Sequence, residues 1–404
     1  MTSWLGSTFA ALGLAHYRVL WLGTLLAFLG FFMSTVVQSV VAFELAGTNR
    51  AVGWVVFGQG LAMFVLGPVG GAFADRLPKR RVIVVGQTLM TLVFFALAAL
   101  VATGAVRVIH LSLGALVMGA TFAFLGPARQ AIVVGLVPES HRGNALVLNG
   151  VAHSMSRVLG PALAGVLLTI ASVGAAGAYA TMGILYAAAA CSLVLVPHVP
   201  GRANASDTRV LGDLAEGLRY VRARPRLRLL ILFFVAVVMF GYPFIAVLPG
   251  LVENAYGRSA DTVSVLHIAT AAGALTASLS VARFADSPHA TTLYSAMAAL
   301  FAVGLAATAH APTFALAAVG MGVAGAGSGG FQALSNAVIA RETDPVYIGR
   351  VLSLTLLAFG GFGLMGLPYG ILADAVGERG AMGAMSACVG VVVVVLTLLL
   401  RRTR

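Results

Sequence analysis

Twelve long apolar runs make up most of the 404-residue chain, and short stretches rich in charge, Gly or Pro separate them. The runs fall at about 19–44, 51–74, 82–103, 110–136, 144–170, 177–197, 228–252, 260–284, 290–309, 312–340, 349–373 and 380–400. An apolar helix needs about 20 residues to cross a bilayer. Each run therefore predicts one membrane-spanning helix, and the longer ones are expected to tilt. The first run is too long for a cleaved signal peptide, lacks a small-residue cleavage site and leads straight into the second.

The longest polar stretch, 198–227, divides the chain. It predicts a six-span half at 1–197, a cytoplasmic linker at 198–227 and a second six-span half at 228–404. Leu211, Leu214, Leu218 and Val221 form a helical stripe in the linker, and Asp207 stands where it could cap that helix. Arginines around the stripe predict an amphipathic helix lying on the inner leaflet, drawn there by anionic lipids.

Composition excludes several classes of function. Hydrophobic residues are 60% of the chain and charged residues 9%, against about 25% charged in a soluble domain. Mean hydropathy is +0.98. So few charges exclude a water-soluble enzyme, a disordered chain and a nucleic-acid-binding domain. The net charge of +12 is a topological label. With the N-terminus inside, 19 Arg and Lys fall on the inner side and 4 on the outer side, which places both termini in the cytoplasm. Arg129 and Arg157 are left within spans. Lysine occurs once, as Lys79, a balance expected of a GC-rich bacterial genome. Cys191 and Cys388 lie in apolar runs and provide neither a disulfide framework nor a metal-binding spacing.

The halves repeat one another. Phe73-Ala74-Asp75 follows span two and Phe284-Ala285-Asp286 follows span eight. Gly143 and Gly160 pair with Gly349 and Gly366 at a constant separation of 206, and Pro161 lies near the position matching Pro368. Duplicated halves are a common transporter plan.

The loop from Gly71 through Asp75, Arg76, Lys79, Arg80 and Arg81 resembles the signature loop of the major facilitator superfamily, with Pro78 in place of a glycine. The resemblance implies a latch between the halves built from Gly71, Asp75, Arg76, Arg80 and Arg81. The segment Ser156-Arg157-Val158-Leu159-Gly160-Pro161 through Gly165 in span five resembles the motif of that superfamily's exporters. Arg157, Gly160, Pro161 and Gly165 carry it, and it implies antiport. Pro127 to Ala131, Leu136 to Glu139, Asn144 to Leu146 and the linker run Leu218 to Arg222 look like the branch holding the enterobactin exporter and related drug exporters. The implied fold is all-α: twelve transmembrane helices in two pseudo-symmetric six-helix bundles.

Ionisable groups within the membrane are expensive and so are functional candidates. Arg129 lies on span four, where the resemblance implies an arginine tied to proton coupling; its other roles would be snorkelling to the inner headgroups or bracing the inner gate against Glu139. His153 and Arg157, four apart on span five, share one helix face and could form a proton-sensitive pair, which makes His153 a proton-coupling candidate, or a structural contact with span eight or Asp75. Glu44 and Asp374 are candidate proton acceptors, or a solvated gate pair near the outer loops. No carboxylate lies in the middle of a span. Gln38, Tyr242, Phe244, Phe331, Gln332 and Asn336 are candidate cavity residues. The glycine run at 325–330 lacks the features of a phosphate loop and predicts close helix packing or a hinge.

The sequence thus predicts a monomeric secondary transporter of a bacterial inner membrane, contacting lipid and a small-molecule substrate, and no nucleic acid. It carries no nucleotide-binding or catalytic motif, so it needs no bound cofactor and draws on a proton gradient. Export of an amphipathic drug or siderophore-like product by alternating access is the expected activity. An importer or lipid transporter of the same fold, or a membrane sensor, is the alternative.

Overall fold

The computed structural model describes residues 9–197 and 210–402; side chains at 68–76, 210–211, 213–214, 353 and 356 lie outside the described set. Every regular element among the described residues is helical. The first half contains α1 (Ala15–Ala46), α2 (Asn49–Arg76), α3 (Lys79–Ala102), α4 (Val108–Leu136), α5 (Arg142–Thr169) and α6 (Gly174–Ser192). A linker helix, Val210–Arg222, follows. The second half contains α7 (Pro225–Gly241), α8 (Val263–Ala282), α9 (Ala290–His310), α10 (Phe314–Arg341) and a 55-residue helix, Ile348–Arg402.

That last helix breaks at Gly377, where φ is 79° and ψ is 158°. Positive φ is open to glycine at no steric cost. We call its limbs α11 (348–376) and α12 (378–402). Tyr369 on one limb lies beside Cys388 on the other, so the second limb doubles back on the first. Among the described residues eleven helices are long and apolar enough to cross a membrane, and the divided one supplies two limbs of spanning length. The face holding most arginines is called inner below.

Span seven departs from the single helix that its hydropathy predicts. The α-helix ends at Gly241 and continues as a 3₁₀ turn at Tyr242–Ala246, a short turn at Leu248–Gly250 and a π turn at Leu251–Ala255. Pro243 and Pro249 lie in this stretch. Each lacks the backbone N–H that a regular helix needs.

The halves meet along two lines: α2 lies against α11, and α5 against α8. The first line is a glycine seam. A Cβ added at Gly60 would meet the backbone of Gly363, one at Gly53 would meet Gly366 and Leu367, and one at Gly360 would meet Phe64. Between membrane helices no water is expelled by packing, so close backbone approach supplies van der Waals contact instead. The run in α10 is used in the same way on two faces. Gly320 and Gly327 abut α9 at Thr308 and Phe301, while Gly325 and Gly329 abut α8 at Thr270 and Ala274.

The linker helix is docked on protein. Tyr220 stacks on Tyr347 at 4.1 Å, its hydroxyl accepts a bond from the Asp344 backbone at 2.8 Å, and Arg224 lies 3.8 Å above its ring. Glu216 pairs with Arg350 at 3.1 Å. Leu218 is exposed, whereas Tyr220 and Val221 are buried. The described part of the linker thus holds to the second half. Asp207 and the side chains of Leu211 and Leu214 fall outside the described residues.

Candidate functional site

Between the halves lies a cavity of about 420 Å³. The first half contributes Phe31, Phe32, Ser34, Thr35 and Gln38 from α1, Val56, Gln59 and Met63 from α2, Met118 and Phe122 from α4, and His153, Arg157 and Pro161 from α5. The second half contributes Tyr242, Phe244 and Ile245 from the broken part of span seven, His267 and Thr270 from α8, Ser328 and Gln332 from α10, and Phe359 and Phe362 from α11. The lining is largely apolar and aromatic, with a few polar groups, which is the make-up of small-molecule sites in general.

The break in span seven has a local consequence here. It brings Tyr242 and Phe244 to the cavity wall, where the Tyr242 hydroxyl donates to the Ser328 carbonyl at 3.3 Å. His153 is wedged between the edges of Phe28 and Phe32, with ring centroids 5.0 and 5.2 Å apart. Arg157 stands one helical turn from His153 and within electrostatic reach of His153, His267 and Tyr242. Several polar atoms here make no hydrogen bond: Gln38 Nε2, His267 Nε2 and Gln332 Oε1. Gln38 is 2% exposed and His267 is 9% exposed. Their unmet bonding capacity is what a ligand entering the cavity could use.

The remaining candidates from the sequence lie elsewhere. Arg129 is 7% exposed, lies 5.3 Å from the Phe28 ring centroid and has an unpartnered Nη2; it does not line the cavity. Phe331 points into the second half, stacked on Tyr294 at 4.5 Å. Asn336 is exposed on α10 and does not line the cavity. Gly160 seats α5 against Phe32 and Met33 of α1, and Gly165 abuts Ser264 of α8. In the signature loop, Arg80 donates to the Val194 carbonyl at 3.2 Å, at the end of span six, and Arg81 is exposed. The side chains of Gly71, Asp75 and Arg76 fall outside the described residues. Glu44 lies at the outer end of α1, near Asp261 and Glu253.

At the outer end the halves are tied together, and sequence reasoning missed most of the tie. Asp374 of α11 accepts bonds from the backbone N–H groups of Asn49 at 2.7 Å and Arg50 at 3.0 Å. The Asn49 amide donates to Asp374 at 3.2 Å and to Glu378 at 2.9 Å. Glu378 also accepts from Asn254 at 2.6 Å. Asn49 is 2% exposed and Glu378 is 8% exposed, so this tie is largely sealed from solvent. One signal was available: Asp374 and Glu378 stand four apart on either side of Gly377, opposite an Asn at a helix start.

Comparison with known proteins agrees with this architecture. The family described as transmembrane secretion effector matches residues 6–404. Among characterised sequences, macrolide efflux protein A of Streptococcus pyogenes is 22% identical over 320 residues, covering 77% of this chain and 76% of that protein. Among solved structures, a D-xylose–proton symporter superposes with a TM-score of 0.77 at 13% identity, covering 95% of this chain and 97% of its own. A bacterial homologue of the human lysosomal transporter Spinster, in an inward-facing occupied conformation, superposes with a TM-score of 0.74 at 16% identity. It covers 96% of each chain. At these identities the two structures speak for the fold alone.

Proposed function

From the premise that the chain belongs to the transmembrane secretion effectors, a family of major facilitator transporters, we propose that it exports a small amphipathic molecule by alternating access. The observation that carries this reading is the aromatic cavity between the halves, tied shut at its outer end by Asn49, Asp374 and Glu378. A cavity in that state loads from the inner side. Release outward then requires the outer tie to break while the halves rock about the α2–α11 and α5–α8 lines.

The reading places the protein in a bacterial inner membrane, with both termini in the cytoplasm. Energy comes from proton antiport. His153 and His267 are the titratable groups on the cavity wall whose ordinary range lies near neutrality. Support for the outward direction comes from the efflux protein among the relatives and from the exporter-type motif at Arg157, Gly160, Pro161 and Gly165.

Vesicle sidedness tests the direction. Everted membrane vesicles containing the protein are given labelled amphipathic compounds, acidic, neutral and basic. Uptake that collapses when the proton gradient is dissipated is expected. Accumulation in right-side-out vesicles, driven by an inward proton gradient, would overturn export.

A further inference from the structure

We propose that the ligand of the central cavity is an amphipathic organic anion: an aromatic or apolar body carrying one carboxylate or similar acidic head, with the head held by Arg157. The inference rests on the reading of the cavity as the transport site and adds the chemistry of what enters it.

The charge inventory of the cavity is one-sided. Arg157 is the single formally charged side chain in its lining, and no Asp or Glu lines it among the described residues. Arg157 makes no ion pair and no hydrogen bond to a described residue. In the outer tie Asp374 and Glu378 are occupied by Asn49, Arg50 and Asn254. An arginine kept in a membrane interior without a counterion is expensive, and such residues pair or serve a function. An incoming acid supplies the missing partner. The guanidinium suits it, because its donors form a planar fork that takes a carboxylate through two parallel bonds.

Other groups on the cavity wall fit the same ligand. His267, nine-tenths buried, has a ring nitrogen without a partner, and Gln38 has an unpartnered amide nitrogen able to donate. Around these groups the wall is aromatic on both sides: Phe31 and Phe122 in the first half, Phe359 and Phe362 in the second. The cavity of about 420 Å³ admits a small molecule of this build. A cationic amphipath of equal size would bring like charge against Arg157, and nothing acidic in the described lining would receive it.

Three probes sharing one body test this: 1-naphthylacetate, 1-naphthylacetamide and 1-naphthylmethylammonium. Binding to the purified full-length protein is measured by calorimetry. We expect the acid to bind about tenfold more tightly than the amide, the scale of a hydrogen-bonded charge pair, and the ammonium to bind weakest. Arg157→Gln should bring the acid down to the amide's affinity, and Arg157→Lys should restore much of the preference. A cooperative thermal transition within a few degrees of the unaltered protein's shows that Arg157→Gln is folded. The inference is overturned if the amide or the ammonium matches the acid, if the acid does not bind, or if its preference survives Arg157→Gln. A short-chain phosphatidylglycerol is run as a competitor. Arg157-dependent binding of that lipid, with none of the acid, would assign the site to a lipid head group and overturn the proposal. Arg157-dependent binding of the acid without outward movement in everted vesicles would overturn export and leave the ligand class standing.

Discussion

The carboxylate of Asp374 closes the start of a helix that begins 325 positions earlier in the chain, taking the backbone N–H of Asn49 at 2.7 Å. A helix start carries unbonded N–H groups and a partial positive charge, so an acid placed there is stabilising. Usually the acid comes from the same helix. Here it comes from the other half, so in the proposed alternating-access cycle the cap exists when the outer side is closed and is lost when the halves part. The capping interaction becomes part of the free-energy difference between the two states of the transporter.

Removing the cap should consequently favour the outward-open state. Loss of a helix cap is worth about 1 kcal/mol, which corresponds to about a fivefold shift in the balance of states. A cysteine at Thr35, on the cavity wall, placed in a background with Cys191 and Cys388 changed to Ser, reports on access from outside. Asp374→Ala should raise its labelling by an impermeant maleimide about fivefold. Equal labelling rates in the two proteins would show that Asp374 does not hold the outer side closed.

The α2–α11 seam gives a second prediction. At Gly60 an added Cβ would run into the Gly363 backbone, which cannot rotate away as a side-chain end can. Gly60→Val should therefore cost about 1–3 kcal/mol through forced separation of the helices. A thermal midpoint in detergent lowered by several degrees is the expected reading. Gly67→Ala is the control, because open space surrounds that position. If both variants melt together, the seam is not a close contact in the protein.

The spans were legible in the sequence because the bilayer imposes a length of apolar chain on each of them, whatever its neighbours. The partners of particular residues were not legible, because they are set by packing between helices far apart in sequence. Phe331 and Gln332 show the difficulty. They are adjacent on α10 and about 100° apart around it, yet Gln332 lines the cavity and Phe331 stacks on Tyr294 inside the second half. Glycines line two faces of α10, so hydropathy gave no contrast by which to choose. Asn49, Asn254 and Glu378 are far apart in sequence, and only the fold brings them together. The break at Pro243 and Pro249 was visible as residues but not as the device that turns Tyr242 to the cavity.

Arg129 separates two roles that the sequence left open. Its side chain is buried against Phe28 and lies outside the cavity lining. Arg129→Met should leave the affinity for cavity ligands within about twofold. Its thermal midpoint should hold or rise, since replacing an unpaired buried charge by an apolar side chain of similar length removes a desolvation cost. Calorimetry and thermal unfolding measure both. A tenfold loss of ligand affinity would bring Arg129 into the site.

The linker helix poses a question of which contact secures it. Arg224 and Asp344 pair at 2.7 Å, but their side chains are 42% and 58% exposed, and exposed pairs contribute little. Tyr220 is 8% exposed, stacks on Tyr347 and accepts the Asp344 backbone N–H. The stacking and that bond both survive a change at the Asp344 side chain. Limited trypsin digestion should therefore cut the linker at Arg222 about tenfold faster in Tyr220→Ala, a local loss of more than 1 kcal/mol, and at most about twofold faster in Asp344→Ala. The opposite order would make the ion pair, rather than the ring, the contact that holds the linker to the second half. In that case raised salt should release the linker in the unaltered protein, whereas a stacked and buried ring is indifferent to ionic strength.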